Sequence, residues 1–260
     1  MTNIPDKETE KMVNLGRLTR GILHDLNNSL ASIMGFADFL TDDLDPSSEQ
    51  YVFAQNIKKA GLQIENLVEQ IRAVSIERGT GKNISINLVD IIKGLTDDIQ
   101  KNLKPQQQII FLTNIQAATL SLPSFQFKVM FANLLKNAIQ SLSDNSGTIM
   151  VHISSANQIN QNDLKGDYHF ISHLCDAHQV IDKKILRIDV IDTGCGMDEV
   201  TLNLAPAPHF TTKSADIAHG LGLTISSQII HSLDGGLSIS TTPNIGSRVT
   251  IALPVEKITL

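Results

Sequence analysis

The sequence predicts an α plus α/β protein in which a helical hairpin is followed by an α/β sandwich. Residues 1–80 carry apolar side chains at helical spacing, whereas residues 81–260 alternate short β-rich runs with helical segments. The break falls at 77–82 (ERGTGK), where two glycines interrupt the helical pattern. We therefore predict two domains, 1–80 and 81–260.

The first helix is predicted from apolar residues with a period near ~3.6, and its polar side carries a histidine. At about 100° per residue, His24 lies about 200° from Ile22 and projects to solvent, with Asn28 one turn further along the same face. An acidic run ends the helix near 41–48, where serines can cap the next one. The apolar positions are Leu15, Leu18, Ile22, Leu26, Leu30, Ile33, Ala37 and Leu40.

The second helix is predicted from a heptad seam, in which apolar residues alternate at spacings of four and three. Two antiparallel helices with apolar stripes cannot bury both stripes alone, so we predict a homodimer that forms a four-helix bundle. The alternative is a hairpin packed on the chain's own second domain. The seam consists of Phe53, Ile57, Ala60, Ile64, Leu67, Ile71 and Val74.

The second domain is predicted as a mixed sheet with helices on one side, because strand-like and helical runs alternate along it. The predicted helices are 88–103, 124–142 and 223–233. The predicted strands are 84–87, 108–114, 118–123, 148–155, 185–192, 236–242 and 248–254.

Composition excludes several partners. A net charge of −6 without a basic block disfavours nucleic acid and anionic lipid. The amino terminus is polar, and no apolar run is long enough for membrane insertion. With only two cysteines there is no disulfide framework, so we predict a cytoplasmic protein.

Two asparagines stand one turn apart on the helix 124–142. Asn133 and Asn137 occupy the same face of an otherwise apolar segment, NLLKNAIQS. Buried amides need partners, and an amide oxygen is also a hard ligand suited to Mg²⁺. Both interpretations stay open at this point.

Two glycine-containing turns follow. In VIDTGCGMD a predicted strand ends at Asp192, whose carboxylate can accept a hydrogen bond from an amino group such as that of adenine. Gly194 and Gly196 let the backbone approach a ligand, although the motif also fits a simple tight turn. Further on, Gly220 and Gly222 open a helix whose amides and dipole suit a phosphate.

These segments occur in the order found in bacterial sensor histidine kinases, which the chain resembles over nearly its whole length. HDLNNSL resembles the phosphoacceptor box. The Asn helix, the Asp-Gly turn, PHFTTK and the Gly-x-Gly helix start resemble the N, first glycine, F and second glycine boxes. The terminal GSRVTIALP resembles the closing strands of the Bergerat fold shared with gyrase, Hsp90 and MutL.

The resemblance implies roles for individual residues. His24 is the phosphoacceptor, Asp25 orients its imidazole, and Asn28 positions water when a partner is dephosphorylated. ATP and Mg²⁺ are the implied cofactors, with Asn137 as the metal ligand, and ATP-hydrolysing relatives place a glutamate where Asn133 stands. The implied nucleotide-binding set is Asn133 and Lys136 beside the phosphates, Asn137, Asp192 against adenine with Gly194 and Gly196, Phe210, Thr212 and Lys213 in the lid, and Gly220, Leu221 and Gly222 around the triphosphate.

The implied function is autophosphorylation of His24 by ATP, followed by transfer to an aspartate of a response-regulator receiver domain, and phosphatase activity toward it. One alternative is a phosphotransferase or phosphatase with a vestigial ATP site, and another is a dimeric ATPase or nucleotide-clamped scaffold. The acceptor box reads HDLNN rather than HELRTP, a form found in nitrogen-regulatory and some hybrid kinases, and the ATP lid is short. Because we recognise no sensor or receiver domain, we expect the signal to arrive through a separate sensory partner, a ligand or the amino-terminal tail.

One polar stretch, residues 154–184, falls outside the resemblance. It contains His169, His173, Cys175 and His178, which are ligand types for Zn²⁺. Nothing in the sequence fixes these side chains in tetrahedral geometry, so we expect a solvated loop with a short helix.

Overall fold

The structure is a computed structural model that describes residues 7–75, 84–142, 146–156, 167–175, 184–212 and 220–260. The chain divides into two compact units, residues 1–81 and 82–260. Across the described ranges, no helix combines the length and apolarity needed to cross a bilayer.

The first unit is a hairpin of two helices, α1 (Lys7–Asp43) and α2 (Glu49–Ser75). The backbone N–H and hydroxyl of Ser47 donate to Asp45 in the connection, at 2.9 and 2.8 Å. Ser48 then caps α2, since its Oγ accepts from Tyr51 N at 3.1 Å. The predicted capping by serine is thus seen at the second of the two positions.

The helices approach each other closely at Gly61. A Cβ added to Gly61 would lie 2.2 Å from Met34 Sδ and 3.7 Å from Leu30 Cδ1, so the backbone of α2 runs close to the side chains of α1. Small side chains permit this approach but bury little apolar area. Among the described residues, the buried positions are Leu23, Leu30 and Ala37 of α1 and Ala54, Gly61, Val68, Gln70 and Ala73 of α2.

Most residues of the predicted apolar stripes lie beside the row of buried residues that joins the two helices, and not in that row. Only Leu30 and Ala37 of the α1 stripe are buried in the hairpin. Of the other described stripe residues, Leu67 is half-buried and Ala60 is exposed. The remaining ones are open in the single chain and between 40% and 61% exposed: Ile22, Leu26, Ile33, Leu40, Phe53, Ile57, Ile64 and Ile71. The side chains of Leu15, Leu18 and Val74 lie outside the described residues.

The second unit contains two sheets, and its sandwich matches the predicted fold class. The larger sheet has the order β2-β4-β6-β8-β7-β5, in which β2 pairs with β4 in parallel and the other neighbours pair antiparallel. The smaller sheet has the order β1-β3-β9. The strands are β1 (Ile84–Asn87), β2 (Gln107–Thr113), β3 (Ala117–Leu122), β4 (Gly147–Ala156), β5 (Phe170–Cys175), β6 (Lys184–Asp192), β7 (Gly236–Thr242), β8 (Gly246–Val255) and β9 (Lys257–Thr259).

The helices of the second unit enclose its core against the large sheet. They are α3 (Leu88–Gln100), α4 (Ser124–Ser141), α5 (Glu199–Leu204) and α6 (Gly222–Ser232). Helix α4 packs against β6, β8 and α6, and this places it at the centre of the unit. Its fully buried Phe127, Met130 and Phe131 face the apolar strand residues. Because these residues are buried, the position of α4 is fixed. The side chains on its other faces are therefore held in defined places.

The expectation that the segment 154–184 is a loop with a short helix was wrong for its described part. Residues Phe170–Cys175 form the edge strand β5, because their backbone groups pair with the exposed edge of β7. Sequence reasoning also missed the short helix α5 and the strand β9. His178 and the side chain of Cys175 lie outside the described residues, among which no group of three His, Cys, Asp or Glu side chains is placed to hold a metal.

We predict that Gly61→Leu destabilises the hairpin by about 1–3 kcal/mol, because the added side chain must displace Met34 from a packed interface. The helical signal of the full chain should then be lost at lower urea concentration in circular dichroism.

The matched control is Gly35→Ala, a helical glycine whose added Cβ would meet no atom within 4 Å. It should keep or slightly raise the stability through helix propensity. Equal unfolding curves for Gly61→Leu and the wild type would contradict the close approach.

Candidate active site

His24 lies on the exposed side of α1, together with the other predicted site residues of the first unit. Its side chain is 74% exposed on α1, and that of the neighbouring Asp25 is 87% exposed. Asn28 stands one turn later with Nδ2 3.2 Å from His24 Nδ1. The structure therefore brings the three predicted residues together on the solvent side of the helix.

Both contacts of the imidazole involve the same ring nitrogen. Asp25 Oδ1 lies 3.5 Å from Nδ1, the atom that Asn28 also approaches. A carboxylate requires a proton on Nδ1, whereas an amide N–H requires a lone pair there, so the two neighbours favour opposite tautomers. In the tautomer that Asp25 favours, the lone pair is on Nε2, which points away from both neighbours.

Asp192 ends β6 and is held through one oxygen. Its Oδ1 accepts hydrogen bonds from Ser141 Oγ at 2.8 Å and from the Gly194 N–H at 2.9 Å. The residue is 6% exposed, so these donors offset part of the cost of burying a carboxylate.

The two glycines after Asp192 are required by neighbouring protein atoms. A Cβ on Gly194 would lie 2.2 Å from Ser141 Oγ. Gly196 has φ +63°, and a Cβ there would lie 2.0 Å from the carbonyl oxygen of Thr242. The sequence left open whether these glycines serve a ligand or a tight turn. In the structure they let the turn pack between α4 and the β7–β8 hairpin.

Three polar residues spaced by four positions mark one face of α4. Asn133, Asn137 and Ser141 span eight residues, which corresponds to about 12 Å along a helix. At one end, Ser141 contacts Asp192. At the other end, a Cβ on Gly222 would lie 3.7 Å from the Cβ and Cγ of Asn133, so Asn133 is next to the start of α6. Asn137 lies between the two ends and is partly exposed.

The start of α6 carries no side-chain cap. Leu221 occupies the N-cap position and makes no capping hydrogen bond with its side chain. The first N–H groups of this 11-residue helix therefore have the positive electrostatic character that suits an anion.

The ends of the F-box loop are joined by backbone contacts. His209 N donates to Gly220 O at 3.0 Å, and both residues have positive φ, 63° and 67°. A Cβ on Gly220 would lie 2.4 Å from the carbonyl carbon of His209. The two ends of the loop are therefore held together, next to the start of α6.

The remaining predicted residues have different placements. Phe210 and Leu221 are partly exposed near this base, and Thr212 and Lys136 are exposed. Lys213 lies outside the described residues.

Sequence reasoning missed Ser141 and the residues of β7 that support the turn. The signal for Ser141 was the continuation of the Asn133–Asn137 spacing by one more helical turn. Thr241 Oγ1 accepts from Met197 N at 2.9 Å, and Asn244 N donates to Cys195 O at 2.7 Å. No local pattern indicates these contacts, because their partners lie more than forty residues apart.

Two protein-family models match the chain. The model described as Histidine kinase-, DNA gyrase B-, and HSP90-like ATPase matches residues 124–257, from α4 into β9. The model described as His Kinase A (phospho-acceptor) domain matches residues 14–79, which include most of α1 and all of α2.

Curated relatives are longer than this chain. The chain is 24% identical to the sensor histidine kinase ZraS of Escherichia coli O157:H7, over 96% of this chain and 48% of ZraS. It is 22% identical to a putative sensor protein of Shewanella frigidimarina, over 95% of this chain and 37% of that protein. The chain therefore spans less than half the length of these relatives.

Solved structures share the fold. Full-length ShkA in complex with AMPPNP superposes with a TM-score of 0.66 at 15% identity, covering 92% of this chain and 46% of ShkA. Histidine kinase ThkA in complex with the response regulator protein TrrA superposes with a TM-score of 0.56 at 20% identity, covering 95% of this chain and 64% of that one. Because the family model covers more than half of the sequence, the chain belongs to the histidine kinase-, DNA gyrase B- and HSP90-like ATPase family.

Proposed function

We propose that this chain is the catalytic core of a protein histidine kinase, which transfers the γ-phosphoryl group of ATP to His24 and from there to an aspartate of a response regulator. The observation that carries the proposal is the line of polar residues on α4. It begins at the buried carboxylate of Asp192, which Ser141 contacts, and ends at the start of α6, where Leu221 provides no side-chain cap.

The nucleotide is proposed to lie along this line. The carboxylate of Asp192 accepts a hydrogen bond from the adenine amino group, since an ionised carboxylate accepts several hydrogen bonds besides those from Ser141 and Gly194. The phosphates meet the first N–H groups of α6, near Gly220 and Gly222. The separation of about 12 Å between the ends of the line suits an extended nucleoside triphosphate.

Magnesium is proposed to bind beside Asn137, whose amide oxygen is a hard donor between the two ends. Mg²⁺ bound there would neutralise part of the negative charge of the phosphates. Asn133 and Lys136 are proposed to contact the phosphates, and Phe210, Thr212 and Lys213 to shape the lid over them. Position 133 carries an asparagine, which cannot act as a general base toward water as a carboxylate can. This favours transfer to histidine over hydrolysis.

His24 is proposed to act through Nε2. Asp25 holds the proton on Nδ1, so the Nε2 lone pair attacks the γ-phosphorus while the bond to the β–γ bridging oxygen breaks and ADP leaves. The side chain is open to solvent, so both a nucleotide-carrying unit and a partner can reach it. The receiver domain of a response regulator is the proposed partner, as in the ThkA complex with TrrA.

Asn28 is proposed to serve the reverse reaction. Its amide lies within 3.2 Å of Nδ1, so it can turn from the imidazole to a water molecule that attacks a phosphorylated aspartate. Phosphatase activity toward the regulator would then need Asn28 but not the lone pair of His24. A separate sensory partner is proposed to shift the balance between the two activities.

A homodimer is proposed for the first unit because its open stripes lie on one side. Relative to the buried line through Leu30 and Gly61, the stripes are offset by about 40–80° in the same rotational sense on both helices, at about 100° per residue. The helices are antiparallel, so equal rotations bring the stripes to one face of the hairpin. A second hairpin covers this face in a four-helix bundle.

We predict that Ile64→Asp dissociates the dimer, since it places an unpaired charge in the buried seam. The matched control is Leu62→Asp, because Leu62 is 51% exposed compared with 41% for Ile64 but lies on the other side of α2. Light scattering at micromolar concentration should give a dimer for the wild type and the control and a monomer for Ile64→Asp. A monomeric wild type contradicts the bundle.

We predict that Asp192→Asn weakens ATP binding by about 1.5–3 kcal/mol, because a charge-assisted hydrogen bond is lost. Ser141→Ala should cost about 0.5–1.5 kcal/mol through the loss of one support of Asp192. Calorimetry with ATP and with inosine triphosphate, which lacks the amino group, checks the assignment. The wild type should prefer ATP and Asp192→Asn should lose the preference, whereas unchanged discrimination would place adenine elsewhere.

We predict that His24→Gln abolishes labelling by radioactive ATP without loss of ATP binding, since glutamine lacks the nucleophilic ring nitrogen. The wild-type label should be lost in acid and survive base, as a phosphoramidate does. His173→Gln, an exposed histidine of β5, is the control and should label normally. Asn28→Ala should retain labelling and lose dephosphorylation of the regulator. Label that persists in His24→Gln would contradict phosphoryl transfer to His24. The ATPase or scaffold function would then remain as the alternative.

A further inference from the structure

The strand β5 belongs to the polar stretch that has no counterpart in the resemblance, and it contacts both parts of the candidate nucleotide site. It pairs along β7 from Phe170 opposite Thr241 to Cys175 opposite Leu237. It also packs against α5 and α6, which flank the F-box loop. We refer to residues 167–175 as the strap.

The first attachment of the strap is a hydrogen bond to the residue that supports the glycine turn. His169 N donates to Thr242 Oγ1 at 2.9 Å. The carbonyl oxygen of Thr242 in turn occupies the space where Gly196 would carry a Cβ. One residue, Thr242, therefore touches the strap through its side chain and the turn through its backbone.

The second attachment is a cation–π contact. The guanidinium carbon of Arg248 lies 5.3 Å from the ring centroid of Tyr168. Nε of Arg248 is shielded from solvent and has no hydrogen-bond acceptor among the described residues, so the ring face compensates part of its lost hydration. Burial raises the pKa of Tyr168 despite the opposing charge of Arg248, which keeps the phenol neutral.

Arg248 connects this contact to the strand that carries Asp192. It pairs with Ile191, the residue immediately before Asp192, and its neighbour Ser247 pairs with Asp192 itself. A shift of Arg248 therefore moves the end of β6. In addition, a Cβ on Gly246 would lie 1.9 Å from the Asp192 carbonyl oxygen, so the β7–β8 hairpin has no free space against this strand end.

We propose that the strap is a positioning element for nucleotide binding, in which Tyr168 acts through Arg248 and the backbone of His169 acts through Thr242 to hold the turn that follows Asp192. The strap contacts the adenine side through the hairpin and the phosphate side through α5 and α6. Release of its first residues lowers ATP affinity without altering phosphoryl transfer from bound ATP. This inference rests on the proposed function of the site.

The experiment compares Tyr168→Leu with Tyr168→Phe in the full chain. Leucine keeps apolar bulk but has no π face, so ATP affinity in calorimetry should fall about threefold to tenfold, whereas phenylalanine keeps the ring and should retain wild-type affinity. In labelling kinetics, the KM for ATP should rise for Tyr168→Leu while the rate at saturating ATP stays unchanged. Circular dichroism and the melting temperature confirm that each variant is folded.

A double-mutant cycle with Arg248→Met makes the test independent of folding defects at either position. If the two residues act through each other, Tyr168→Leu should have no further effect on ATP affinity in the Arg248→Met background. Additive losses, or wild-type affinity in Tyr168→Leu, overturn the role of the strap. His173→Ala, at an exposed position later in the strap, is the control for general disturbance of β5 and should bind ATP normally.

The outcomes separate this proposal from the function on which it rests. A wild type that binds no ATP refutes the nucleotide site itself. A wild type that binds ATP with unchanged affinity in Tyr168→Leu refutes the strap alone.

Discussion

The geometry of the second unit depends on how the buried carboxylate of Asp192 is satisfied. Its Oδ1 takes one hydrogen bond from α4, through Ser141, and one from the turn that follows β6, through the Gly194 N–H. A carboxylate at 6% exposure without such donors would be costly to bury. The two bonds therefore hold the central helix, a central strand and the turn in one arrangement.

The same turn is confined on its other side by the β7–β8 hairpin. Gly196 and Gly246 each lie so close to a backbone carbonyl oxygen that an added Cβ would overlap with it. Hydroxyl groups complete the contact, since Thr241 Oγ1 accepts from Met197 N and also contacts Ser247. A loop packed on both faces is held in one conformation, which is the preorganisation that the proposed nucleotide site would need.

The first unit is held together by the contact between its two helices. Its helices come close together at Gly61, and the hairpin buries few large apolar side chains, among them Leu23, Leu30 and Val68. Most of the apolar surface of α1 and α2 therefore lies on the open stripes, while His24 and Asn28 face solvent on another side of α1. In the proposed function, association and chemistry would therefore use separate faces of α1.

The sequence by itself determined the elements whose signals are local. Helical periodicity located α1, α2 and α4, the Asn133–Asn137 spacing indicated a polar face, and the glycines around Asp192 and Gly220 located the turns. Only the tertiary structure decided which stripe residues pack within the hairpin, that Ser141 supports Asp192, and that residues 170–175 form an edge strand. These outcomes depend on partners far away in sequence. The backbone of β5 is ordered by the edge of β7, and the role of Ser141 exists only because β6 ends beside α4. Local pattern carries no information about such pairings.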